Sequence, residues 1–179
     1  MDFLDILREK AFLGREFLTW LWFKSDQLGG LIEIPGKRTI EVIFLDQMTL
    51  DLSDSESPQT VALKGEQSEL REGMAALKEG KKIEEARIRI RPSDEDFTMV
   101  LKGTWFAFGS FRTPPVLPPQ DAESEQDAEG AFLEKTYLIE QGMDAVDDLF
   151  EYFLKLRISD QWELQEVSGI RNWIENSGA

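Results

Sequence analysis

Apolar residues recur at two different periods along this chain, and each change of period marks an element. Near the amino terminus Phe3, Ile6 and Leu7 share one helical side behind Asp2, a residue suited to capping a helix. Gly14 predicts a break before a second helical run over 15–24. There Phe17, Leu18, Leu21 and Trp22 occupy one side, while Trp20 and Phe23 fall off it. A helix apolar nearly all round predicts a central core helix or, as the second reading, a subunit contact made by Trp20, Trp22 and Phe23. Gly29-Gly30 ends the helical period. Period two then predicts strands over 31–34, 38–45, 48–53 and 59–63, with a turn at Pro35-Gly36 and a solvated loop over 54–58.

The clearest unit covers 66–112. Leu70, Met74 and Leu77 predict a helix that stops at Gly80, just after Lys78. Ile83, Ala86, Ile88 and Ile90 then predict a strand, with Arg87, Arg89 and Arg91 on its other side. Pro92 and Asp94 mark a turn, and 97–101 and 105–111 read as two further strands. Strands with one wet face predict an antiparallel sheet covered on one side.

Composition shifts at 114–130, where four prolines precede a run of acidic residues with almost nothing apolar. Such a segment predicts a solvated linker. From Ala131 the helical period returns through Phe132, Ile139, Met143, Val146, Phe150 and Phe153, flanked by Glu140, Asp144, Asp147 and Glu151. Asp160, with Glu163 three residues on, predicts the start of a last helix with the stripe Leu164, Val167, Ile170 and Ile174. The fold class expected is α+β: an antiparallel sheet of about six short strands with helices on one face and at both termini. Residues 1–113 form the helix-plus-sheet domain, 114–130 the linker, and 131–179 helices that pack back on the same domain.

The 179 residues contain no cysteine and no histidine, which removes disulfides, thiolate metal sites and the commonest general base. The acidic start and a longest apolar run of seven residues, 17–23, predict a soluble, cytoplasmic chain with no membrane partner. No phosphate-loop glycine spacing and no activated serine occurs. The acidic spacing on 140–151 lacks the histidines that di-metal helices use. The expectation is a non-enzymatic protein without cofactor or metal. Net charge is −15, unevenly spread: −4 over 1–113 (16 basic, 20 acidic) and −11 over 114–179 (4 basic, 15 acidic). The one basic grouping is Lys64, Lys78, Lys81, Lys82, Arg87, Arg89 and Arg91, with Arg71 on its approach. These are the candidates for phosphate contact, against the alternative that the arginines pair with Asp94 and Asp96 across the turn.

The helix ending Glu79-Gly80-Lys81, the alternating strand 83–91 and the return strand Phe97-Thr98-Met99-Val100 resemble the C-terminal half of the RdgC family, recombination-associated, nucleoid DNA-binding proteins. Phe17-Leu18-Thr19-Trp20-Leu21-Trp22 upstream and the helix over 132–156 downstream fit in the same order, so the resemblance spans roughly 12–157. The family's large N-terminal part has no counterpart here. The resemblance implies sequence-independent DNA binding and a nucleoid setting. The alternative is an acidic interaction subunit that supplies a C-terminal lobe to a separately encoded partner and touches DNA only in complex. The partners expected are DNA and either a second copy of the chain or that separate lobe.

Overall fold

The computed structural model describes residues 3–51, 61–64, 68–104, 106–116 and 125–177. It is an α+β protein whose six antiparallel strands form one sheet. The elements run α1 (Phe3–Gln27), β1 (Leu31–Glu33), β2 (Thr39–Asp51), β3 (Val61–Lys64), α2 (Ser68–Lys78), β4 (Lys82–Arg91), β5 (Phe97–Lys102), β6 (Ala107–Arg112), α3 (Glu125–Arg157) and α4 (Val167–Asn176). The strand order is β1-β2-β4-β5-β6, and β3 shares the β1 edge of the long strand β2.

One helix replaces the two expected at the amino terminus, because Gly14 serves contact and not a break. A Cβ on Gly14 would lie 1.9 Å from the carbonyl oxygen of Gly103. The absent side chain lets α1 cross the turn between β5 and β6 with backbones touching, and the helix runs on through it. The capping role expected of Asp2 lies outside the described residues, as does the loop over 54–58.

The run 38–45 and the described part of the run 48–53 are likewise one strand, β2, with an irregularity inside it, while residues 52–53 lie outside the described residues. Phe44 pairs Ile88 and Met48 pairs Ala86, so three β2 residues face a single β4 residue. A second irregularity falls between the pairs Thr49–Glu85 and Leu50–Ile83, where Glu84 is the extra residue. That extra residue keeps both Ile83 and Ala86 on the buried side despite their odd spacing. Glu84 itself reaches the Arg15 guanidinium at 2.6 Å.

The core lies between this sheet face and the helices. Ile40, Val42, Met48 and Leu50 of β2, Ile83, Ala86, Ile88 and Ile90 of β4, and Phe97, Met99 and Leu101 of β5 join the buried side of α1 in one cluster. Trp20, Trp22 and Phe23 belong to it. Trp20 is 0% exposed, Trp22 meets Trp173 edge-on at 5.2 Å, and Phe23 packs at the same ring. The three residues weighed as an interface therefore lie inside the protein's own core. α1 is apolar all round because β2 and β4 cover one side and α3 and α4 the others.

Two polar anchors hold α1 to the carboxyl-terminal helices. Trp20 Nε1 donates to Glu166 at 3.0 Å and Lys24 Nζ to the other oxygen of that carboxylate at 2.7 Å. Trp173 Nε1 donates to Asp26 at 2.8 Å. Glu166 is thus buried with both oxygens satisfied, the condition under which a buried charge is tolerated.

The carboxyl-terminal elements differ from expectation in boundary and in face. α3 starts at Glu125, so the last acidic residues of the expected linker are helical. Residues 113–116 are described too, and Val116 packs on the core. Leu138, Gly142, Ala145, Val146, Leu149, Phe153 and Leu156 are buried positions of α3, while Phe132 is 69% exposed and Met143 is exposed as well. A helix of 33 residues is about 50 Å long, more than strands of 6–13 residues can cover, so its first turns overshoot the sheet. After Arg157, Asp160 is already helical and a π-helical turn over Trp162–Glu166 precedes α4. That wider turn rotates the face. Trp162, Glu166 and Trp173 go inside, and Leu164, expected in the stripe, is exposed.

Candidate nucleic-acid interface

The face of the sheet turned away from the helices collects the basic residues. Period two places Arg87, Arg89 and Arg91 opposite the buried Ile88 and Ile90. Pairing then sets the neighbours. Arg91 faces Glu41 on β2, Arg89 faces Ile43 on one side and Thr98 on the other, and Arg87 faces Val100. Lys102 lies opposite Glu85, Arg112 opposite Thr98, and Lys82 opposite Asp51. Among the described residues no helix packs on this face, since the buried parts of the helices cluster on the other.

Sequence periodicity found the three arginines but not Lys102 and Arg112. Those two join the face only through the register of β5 and β6, which no spacing within a single strand reveals. The reverse holds for the lysines. α2 ends in two hydrogen bonds, from the Gly80 amide to the Leu77 carbonyl and from the Lys81 amide to that of Ala76, with Gly80 at φ +86°. This closure suits glycine alone and turns the chain into β4. It leaves Lys78 in the helix layer, across the sheet from the arginines, and tucks Lys81 to 8% exposure with its amine 3.1 Å from Glu79. The single strip expected of Lys78, Lys81, Lys82 and the arginines is therefore divided. Lys82 stays exposed at the start of β4. Lys64 ends β3 at the far edge, opposite Gln47.

Carboxylates reach the arginines, as the alternative reading expects, though through one residue of the turn and one of β2. Arg91 donates to Asp96 at 3.0 and 3.3 Å and lies 2.9 Å from Glu41. Arg89 is 3.9 Å from Asp96. The hydrogen bond from Arg91 holds the Asp96 carboxyl below its usual range, and Asp96 in turn raises the Arg91 guanidinium. Arg87 is engaged as well. Both partners stay solvent-accessible, so these pairs orient the guanidinium groups at little net gain in energy.

A second basic pair lies elsewhere. Lys37 reaches Asp148 at 2.6 Å and Glu151 at 2.5 Å, and Arg38 donates to Asp148 at 2.8 Å. This group ties the β1–β2 turn to α3. Of the acidic flank on α3, only Glu151 takes part, and among the described residues no cluster of carboxylates could hold a metal ion.

Beside β6, residues 113–116 and the first half of α3 enclose an open groove of about 810 Å³. Phe111, Val116, Phe132, Ile139 and Met143 line it, with Arg112 and Lys135 among them. Leu133 and Tyr137 stand exposed nearby on the same helix. Among the described residues no helix is long and apolar enough to cross a membrane. Neither a family model nor a curated protein matches the chain.

Proposed function

We propose that this is a non-catalytic, RdgC-like protein of DNA recombination or nucleoid biology, which binds DNA without sequence preference through the uncovered face of its sheet. The observation that supports this reading is the gathering of Lys82, Arg87, Arg89, Arg91, Lys102 and Arg112 on one face of a chain whose net charge is −15. Phosphate contacts need cations that track a backbone, and three adjacent strands supply them here. Glu41 and Asp96 hold Arg91 in place until a phosphate displaces them. Acidic residues elsewhere keep other surfaces of the protein away from nucleic acid.

Four phosphate contacts give a log–log salt slope of about −3 to −4 on duplex DNA. The double variant Arg89→Glu, Lys102→Glu abolishes binding equally on unrelated sequences, because phosphate contacts carry no base information. Absence of binding by the wild-type chain at low salt overturns the proposal.

One observation favours a second reading, an acidic interaction subunit that dimerises or docks on a separately encoded partner lobe. Phe132, Leu133 and Tyr137 are all more than half exposed on the part of α3 that overshoots the sheet. Light scattering of the wild type beside Phe132→Ser, Tyr137→Ser tests it. Loss of a larger species in the variant supports this reading, and identical monomer masses exclude the homodimer.

A further inference from the structure

A cavity of about 240 Å³ opens between α1, the β5–β6 turn and the middle of α3. Its walls are Phe17, Leu18, Leu101, Phe108, Val146 and Phe150, so it is apolar almost throughout. At one end the backbones of Gly14 and Gly103 touch, the approach that a Cβ on Gly14 would forbid. This contact fixes α1 against the turn. Phe106 stands at the opening. Its φ is +48°, a left-handed conformation that a bulky residue holds only where its surroundings impose it, and such residues cluster at ligand sites. The Phe106 ring is 39% exposed and meets Phe150 edge-on at 4.7 Å, while Phe150 meets Phe17 at 5.1 Å. A chain of aromatic rings thus runs from the mouth to the back of the cavity.

We infer that this cavity is a binding site for a small uncharged aromatic molecule of one or two fused rings, with Phe106 as its movable cover. Size sets the upper limit. An apolar cavity of about 150 Å³ holds benzene, whereas sites for drug-sized molecules begin at about 300 Å³, so this space lies between a single ring and a larger ligand. The wall chemistry selects the class, since Phe17, Phe106 and Phe150 present ring faces and edges to another π-system. Of the two charged lining residues, Lys102 extends its amine towards Glu85 on the other face of the sheet and Asp147 is itself exposed, so no buried charge is offered to a charged ligand.

The test uses benzene and indole as probes against the full chain, read by calorimetry and by chemical shifts of the Leu18, Leu101 and Val146 methyl groups. Saturable binding at millimolar concentration or tighter is expected, with ring-current shifts at those methyls. Val146→Phe at the wall, checked for folding by circular dichroism, reduces affinity about tenfold or more. Phe106→Ala retains binding and speeds exchange. The site is overturned if neither probe shifts the wild-type methyls, or if binding survives unchanged in a folded variant that fills the cavity. Binding of indole-3-acetate or tryptamine as tight as indole overturns the uncharged class.

Discussion

The two faces of the sheet are built from the same strands by the same alternation, yet they obey different physics. On the covered face β2, β4 and β5 present apolar side chains to α1, and the cluster extends through α3 to Trp162 and Trp173. Glu166, a buried charge there, accepts from both Trp20 and Lys24. On the other face charged residues alternate in register, Arg91 with Glu41 and Lys102 with Glu85, in contact with water. Burial makes the first face responsible for stability. Exposure makes the second cheap to alter, which is what a binding surface requires.

The sharpest way to break this contrast is Trp20→Ala. It removes a fully buried indole and the donor to one oxygen of Glu166, so a loss of about 3–5 kcal/mol is expected in denaturant unfolding. Trp20→Phe keeps most of the volume and isolates the hydrogen bond, at about 1–3 kcal/mol. A small loss in the alanine variant would mean that α1 is not the centre of the core.

Glycines within helices give the next largest effect. Gly14→Ala forces a Cβ into the Gly103 carbonyl and costs about 1–3 kcal/mol, although alanine favours helix. Gly130→Ala, in the part of α3 with open space around that position, stabilises by about 0.5–1 kcal/mol. Opposite signs for one substitution type, measured by thermal melts, separate packed helix from overshooting helix.

On the uncovered face Arg89→Ala changes stability by no more than about 1 kcal/mol, while DNA binding falls on the proposed function. A large loss of stability would show that something covers this face after all.

The smallest effect is electrostatic. Hydrogen bonds from Lys155 and Lys37 hold the Glu151 carboxyl down to about 2, against an ordinary value of 4.5. A depressed carboxylate contributes its stabilisation above its ordinary value and loses it as pH falls from about 4.5 towards 2. Asp148 moves the same way: burial opposes its ionisation, and the hydrogen bonds and charges of Lys37 and Arg38 together outweigh it. Lys37→Ala should raise the Glu151 carboxyl towards 4.5 in a carbon-detected NMR titration. No movement would mean that Lys155 alone sets it.

Much of this architecture was legible in the chain itself. Periods of 3.6 and two located the main elements within a few residues, apart from the merging of the two amino-terminal helices into α1, the merging of 38–45 with the run after it into β2, and the earlier start of α3. Alternation also put Arg87, Arg89 and Arg91 on one side of β4 without any coordinates. These are local matters, decided by φ and ψ preferences and by which face of a single element is apolar. What spacing could not supply were facts that depend on a second element. Gly14 reads as a breaker until Gly103 is seen against it. Trp20 and Phe23 read as off-face until α3 and α4 are packed around α1. Leu164 reads as core until a π turn rotates its helix. Lys81 reads as a free cation until the closure of α2 tucks it away, and Lys102 and Arg112 join the arginines only through strand register. Sequence by itself determined the local periods, because each depends on neighbours within a turn or a pleat. Tertiary structure decided which of the resulting faces meet, because contact depends on register, crossing and length across residues far apart in the chain.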